Sequence, residues 1–197
     1  MEDVTMNHDP ALEDLIQRTG RGDMKAFGEL YELCSRSVFA YALSVLRKPD
    51  PAGDVVQDTF LRIWRSAPSY APQGRPMAWV LRIARNLCLD ELRRSAAFSA
   101  AEDDAEPADA SASFDADAVQ RAYLQTLLDD VLTGEEREIV RLRIYGGLSH
   151  AEIAQVLGFS SAAVRWKYTY ALKKLRKRYA DDEWTSSKGS ERKDLFL

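Results

Sequence analysis

One stretch constrains the fold more than any other: Leu148 to Tyr179, LSHAEIAQVLGFSSAAVRWKYTYALKKLRKRY. Its S-x-x-E pattern, Ser149 and Glu152, predicts a capping box, in which each side chain satisfies an orphan N–H of a first helical turn. Ile153, Ala154 and Leu157 share one helical face, and Gly158 stands where the chain must turn sharply. Ser160 is placed to cap a second helix starting near Ser161. Ala154, Gly158 and Val164 have helix-turn-helix spacing: a small residue for close packing, a turn glycine and an apolar anchor.

On the second helix, Val164, Tyr168, Ala171, Leu172, Leu175 and Tyr179 fall on one side at helical periodicity. Arg165, Trp166, Thr169, Tyr170, Lys173, Arg176 and Lys177 fall on the other. From Ser160 to Tyr179 there are seven Lys or Arg and no Asp or Glu, in a chain whose formal net charge is −4. Positive charge concentrated on one helix suits contact with a polyanion, the alternative being a merely solvated basic face.

Hydrophobic residues make up 46% of the 197 and charged residues 29%, as in a globular protein of one medium or two small domains. No apolar run approaches the ~20 residues of a membrane span. The N-terminus, MEDVTMNHDPALEDL, is acidic and polar, unlike a signal peptide, so a cytoplasmic location is expected. Cys34 and Cys88 fit no metal or redox spacing, and Cys34 follows Phe27, Leu30 and Tyr31 as a core residue would. His8 and His150 are isolated in sequence from each other and from the cysteines. The sequence offers no zinc site, no phosphate-binding glycine loop and no nucleophile–base pair, so neither a cofactor nor an enzymatic activity is expected.

The fold class expected is all-α, two small helical domains joined by a flexible acidic linker. Pro10 opens a first helix through Arg18, ended by Gly20-Arg21-Gly22. Asp23 caps Met24–Ser35, and Val38–Leu46 continues as an apolar helix until Lys48-Pro49-Asp50-Pro51 interrupts it. A further helix spans about Ala52–Ala67, a proline-rich loop Pro68–Pro76, and a long helix Met77–Arg94. Between Ser95 and Gln120 there is no Lys or Arg, but there are seven acids among Ala and Ser, a composition that cannot offset ordering entropy by burial. The expected boundaries are therefore a domain over 10–95, a linker over 96–115, a helix-turn-helix domain over 116–180 and a disordered tail over 181–197. In the second domain an amphipathic helix runs from near Ala116 to Leu132. Thr133 and Glu136 then box the start of a helix through Tyr145, which Gly146-Gly147 ends.

Two further faces carry chemistry. In DVVQDTFLRIW, Val56, Phe60, Ile63 and Ala67 point inward. Asp54, Gln57, Asp58 and Leu61 share an outward face: two carboxylates, an amide and an exposed leucine, suited to docking a basic or polar helix. In AWVLRIARNLCLDELRR, Trp79, Arg82, Asn86, Asp90 and Arg93 fall along one stripe, while Val80, Ile83, Ala84 and Leu87 face a core. Such a stripe, with Tyr70 and Arg75 in the preceding loop, can stack on a base and bind its edge and backbone. Trp79 as core filler is the competing reading.

With these motifs on the page, the chain resembles the extracytoplasmic-function sigma factors of bacterial RNA polymerase, over roughly Leu12–Arg94 and Val119–Tyr179. D-x-x-Q-D-x-F at Asp54, Gln57, Asp58 and Phe60 looks like the segment that grips the polymerase β′ coiled coil. W-x-x-R-I-A-R-N from Trp79 to Asn86, followed by D-x-L-R-R from Asp90 to Arg94, looks like the promoter −10 segment, where the family captures a flipped base. The resemblance implies a −10 role for Tyr70, Arg75, Trp79, Arg82 and Asn86. It implies a −35 role for Ser161, Arg165, Trp166, Thr169, Tyr170 and Lys173. It also implies binding to the core polymerase β′ and β subunits and to promoter DNA, and control by an anti-sigma factor. Trp166 and Tyr170 depart from the small polar residue and arginine that many members carry there. Trp166 either contacts DNA or packs on another protein or the C-terminal tail. The acidic linker is either a passive tether or a nucleic-acid mimic. The rival readings are a conventional helix-turn-helix regulator that binds DNA without polymerase, and a nuclease or helicase, whose metal-binding acids or phosphate loop the sequence lacks.

Overall fold

The computed structural model describes residues 9–101 and 128–191; among them every regular element is helical. Chain contacts divide them into two units. One comprises the residues up to 101 together with Arg141–Val164; the other comprises 128–140 and the chain from Arg165 onward.

In the first unit, α1 (Pro10–Gly20) starts at Asp9, whose carboxylate accepts from the N–H groups of Ala11 and Leu12 at 3.1 and 3.0 Å. It buries Leu12, Glu13, Leu15, Ile16 and Thr19. Gly20, its last residue, has no room for a side chain, because a Cβ there would stand 2.6 Å from the Ala67 carbonyl oxygen. Asp23 then serves two helices. Its Oδ1 caps α2 (Met24–Leu46) at the N–H groups of Lys25 and Ala26, while its Oδ2 holds Arg18 of α1 at 2.8 Å. The two apolar segments expected within 24–46 form this one continuous helix, with Ala26, Leu30, Cys34, Val38, Tyr41 and Ala42 buried. Burial pushes the Cys34 thiol up to about 12, so it is an unreactive core group.

Helix α3 (Pro49–Ser66) begins earlier than expected. Pro49 occupies the first helical position, where a missing N–H costs nothing, so the prolines that stop α2 also start α3. Its buried face carries Val56, Phe60 and Ile63 as anticipated, joined by Ala52, Val55 and Thr59. Phe27 meets Trp64 and Tyr31 meets Phe60, with ring centroids 5.2 and 4.6 Å apart, which fixes α3 against α2. A 3-10 turn, Ala67–Ser69, leads into the loop before α4 (Pro76–Ala101). Helix α4 buries Ala78, Val80, Leu81, Ala84, Leu87 and Cys88, while Ile83 is half-buried. It runs past Arg94 into the stretch expected to be linker. Ala is the best helix former, and ion pairs Arg93–Asp90 and Arg94–Glu91 support the preceding turn. The remainder of the expected acidic linker, and most of the helix expected from Ala116, lie outside the described residues.

Helix α5 (Gly134–Ile144) crosses from the second unit into the first. Gly146 follows it where a Cβ would meet Leu81 at 2.5 Å and the Leu142 carbonyl at 2.7 Å. The capping box at α6 (His150–Leu157) forms as expected: Ser149 N–H donates to Glu152 at 2.8 Å, and Glu152 N–H to Ser149 at 3.3 Å. Gly158 adopts φ 74°, and Ser160 Oγ accepts from Ala163 N–H as α7 (Ser161–Glu191) begins.

In the second unit, Leu128, Leu132, Val140 and Ala171 form a core to which Val131, Tyr168 and Leu175 add. The Thr133–Glu136 box is present, and Glu136, 5% exposed, also takes the Lys174 ammonium at 2.8 Å. Tyr179, expected on the inward stripe, is exposed, since the cluster ends at Leu175. Helix α7 continues to Glu191 through the segment expected to be a disordered tail; no proline or glycine interrupts it before Gly189.

The Asp23 double role gives a pH test. The Ala26 N–H and Arg18 hold its carboxyl below the ordinary 3.8, so its contribution is present above that value and lost as pH falls below it. Asp23→Ala should melt at a lower temperature than the parent at pH 7, with the gap closing in scans below pH 3.8.

Candidate nucleic-acid and partner interfaces

Asp54, Gln57 and Asp58 are exposed on α3, and Leu61 beside them is 52% exposed, opposite the buried Val55–Phe60–Ile63 face. A leucine left half in water one turn beyond Asp58 is a small apolar contact point at the end of an anionic stripe.

The loop between the 3-10 turn and α4 is pinned from below. Glu13 Oε1, on a residue 7% exposed, accepts from the Tyr70 hydroxyl and from Gly74 N–H, both at 3.0 Å. Burial, and then the bond to Glu13, raises the Tyr70 phenol well above its usual value, so it stays neutral. The Tyr70 ring lies 4.9 Å from that of Trp79, tilted by 59°. Both rings are half-buried, so Trp79 is neither core filler nor a free surface group. With Arg75 and Arg82 they line a cleft of ≈ 240 Å³. Gln155 of α6 reaches into it: Arg75 donates to its side-chain oxygen at 3.3 Å and Arg82 to its carbonyl at 2.9 Å, while its amide donates to Gln73 at 2.6 Å. Asn86 is not part of this cleft; it is exposed beside Arg62, Arg65 and Ile83 in a separate shallow depression.

On α7, Ser161, Arg165, Trp166, Thr169, Tyr170 and Lys173 are all exposed, with Val164 and Ala171 buried behind them. The Trp166 and Tyr170 rings stack, 5.5 Å apart and 4° from parallel. Two of the basic residues are engaged with α5, Lys167 with Glu135 and Lys174 with Glu136.

Glu13 and Gln155 escaped the sequence reading. A signal for Glu13 was available, a carboxylate between Leu12 and Ile16 on a stripe otherwise bound for the core. Gln155 carried none, since an amide on a short amphipathic helix is ordinary.

Family models for sigma-70 region 2 and sigma-70 region 4 match residues 30–98 and 130–177. The ECF RNA polymerase sigma factor SigK of Mycobacterium ulcerans is 30% identical over 84% of this chain and 91% of its own. The corresponding SigL of Mycobacterium tuberculosis is 32% identical over 75% and 85%. The chain belongs to the ECF sigma factors. Among solved structures, CnrH in complex with the cytosolic domain of CnrY is 27% identical, with a TM-score of 0.70 over 87% of this chain and 99% of that one.

The matched region 2 contains the α3 face, the cleft residues Tyr70, Arg75, Trp79 and Arg82, and α4 as far as Phe98; the matched region 4 contains α5, α6 with Gln155, and the described face of α7. Glu13 lies outside both, yet it holds the loop of this sigma factor. Glu13→Ala should cost about 1–3 kcal/mol in urea denaturation, because it strands the Tyr70 hydroxyl and the Gly74 N–H. It should also speed proteolysis within 70–75, and Glu13→Gln, which keeps an acceptor, should recover most of both.

Proposed function

We propose that this ECF sigma factor directs RNA polymerase to promoters through three surfaces: the α3 face docks core polymerase, the Tyr70–Trp79 cleft captures a −10 base, and α7 reads the −35 element. The cleft carries the reading. Two half-buried aromatic rings held by a buried carboxylate form a rigid stacking platform, and Arg75 and Arg82 at its rim can meet a base edge and the phosphate beside it. Base capture then requires the two arginines to exchange Gln155 for DNA, and Gln155 itself offers what a base edge offers, an amide donor and a carbonyl acceptor. Asn86 contacts the strand beyond the captured base. Asp54, Gln57, Asp58 and Leu61 receive a basic helix of the β′ subunit, with Leu61 as apolar anchor and the carboxylates as its frame, and β subunit contacts complete the holoenzyme. On α7, Ser161, Arg165, Thr169 and Lys173 supply phosphate and base-edge contacts in the major groove.

The sigma factors are not an enzyme class, and the catalytic chemistry of initiation belongs to polymerase. Among the described residues no group of His, Cys, Asp and Glu could hold a metal ion, and no helix is long and apolar enough to cross a membrane. Work alongside polymerase places the protein in the cytoplasm. CnrH was solved in complex with the cytosolic domain of CnrY, and we infer that this chain likewise takes a protein partner, an anti-sigma factor that restrains it.

In vitro transcription with purified core polymerase over a promoter library tests the reading, which fails if the folded protein directs initiation nowhere. Asp58→Arg should weaken core binding at least tenfold in competition with the parent, about 1.4 kcal/mol, while leaving the melting temperature unchanged. Trp79→Ala should leave core binding intact and abolish strand opening read by permanganate reactivity. Gln155→Ala should raise the affinity of the free protein for single-stranded −10 oligonucleotides in fluorescence anisotropy.

A further inference from the structure

Among the basic and small side chains of the exposed α7 face stand two large rings, Trp166, 64% exposed, and Tyr170, 44% exposed. Two large rings left in water, on the side opposite Val164 and Ala171, gain nothing from the core of their own unit. They are nonetheless held in place. Tyr170 lies between the parallel Trp166 ring on one side and the Lys174 ammonium, 4.8 Å from its centroid, on the other. Lys174 is fixed in turn by the buried carboxylate of Glu136, which accepts from it at 2.8 and 2.9 Å and from Thr133 N–H. Burial pushes the Glu136 carboxyl up, but the Lys174 and Thr133 hydrogen bonds outweigh it and keep the group ionised. The result is a pre-organised apolar edge about two rings long, flanked by the exposed cations Arg165 and Lys173.

The flanking charge selects a polyanion as the occupant, and within the major groove one apolar group is exposed on the base edges, the C5-methyl of thymine. The geometry points to the Trp166–Tyr170 pair as a reader of thymine methyl groups in the −35 element, with Lys174 a positioning residue acting through Tyr170. This rests on the proposed entry of α7 into the major groove and adds to it the base class selected.

The test uses holoenzyme and a promoter duplex chosen from the library, with each −35 thymine replaced in turn by deoxyuridine, which removes only the methyl. At one or two positions the affinity should fall about fourfold, the worth of one buried methyl group. Trp166→Ala should bind thymine and deoxyuridine duplexes alike while keeping the parent's salt dependence, because its phosphate contacts remain. Lys174→Met should lose part of the discrimination, and Lys174→Arg, which keeps the cation over the ring, should recover it. Holoenzyme that binds the promoter but is indifferent to every replacement overturns the methyl reading alone. Holoenzyme that binds no promoter overturns the proposed function with it. Unchanged DNA binding by Trp166→Ala, coupled with weakened binding of a cytosolic anti-sigma domain, would assign the rings to a protein partner and overturn the inference.

Discussion

One carboxylate oxygen, Glu13 Oε1, holds the proline-rich loop of the first unit in place. The chain from Ala67 to Pro76 contains three prolines and a glycine, so it has few backbone hydrogen bonds with which to define itself. Glu13 supplies the missing definition by accepting from Tyr70 at the start of the loop and from Gly74 near its end. Both bonds come from one rigid helix, α1, whose apolar neighbours Leu12, Leu15 and Ile16 are buried. Loop conformation is thereby tied to helix packing, and the Tyr70 ring is set against Trp79.

The second unit uses the same device with a different readout. Glu136 is buried at the start of α5, where its carboxylate closes a capping box and also holds Lys174. An isolated buried carboxylate is costly, but one that accepts from both a backbone N–H and an ammonium can remain charged. The Lys174 ammonium that meets this acid also lies over the Tyr170 ring, so the setting of an exposed aromatic depends on a buried acid one helix away. In each unit a carboxylate at a core position sets the posture of aromatic rings at the surface.

That shared logic explains what could be read in advance. Caps and breakers are local, so Asp23, the Ser149–Glu152 box, the Thr133–Glu136 box and Gly158 were legible from spacing alone, as were the inward faces of α3 and α4. The exposed faces at Asp54–Leu61 and Arg165–Lys173 follow from the same periodicity. Helix ends were less legible where composition conflicted with continuity. Alanines after Arg94 read as linker because acids follow them, yet alanine also extends a helix, and α4 continues to Ala101. Tyr179 read as core because periodicity has no knowledge of where the opposing cluster stops. The partners of Tyr70 and Arg75 lie 57 and 80 residues away in sequence, and no local pattern encodes such a pairing.

Charge on α7 also needs division into what supports the fold and what remains for a ligand. Seven Lys or Arg stand between Ser160 and Tyr179, but Lys167 and Lys174 are tied to Glu135 and Glu136. These two pairs anchor α7 to α5, and their positive charge is largely neutralised by the acids they meet. The salt dependence of DNA binding counts phosphates neutralised: for each tenfold rise in salt, log affinity on duplex DNA falls by about 0.9 per phosphate contact. The cations of α7 thus differ in surroundings: Lys167 and Lys174 lie against α5, while the exposed Arg165 and Lys173 flank the ring pair. In the proposed promoter complex, affinity would follow the outward-facing cations and sequence choice the uncharged groups held between them.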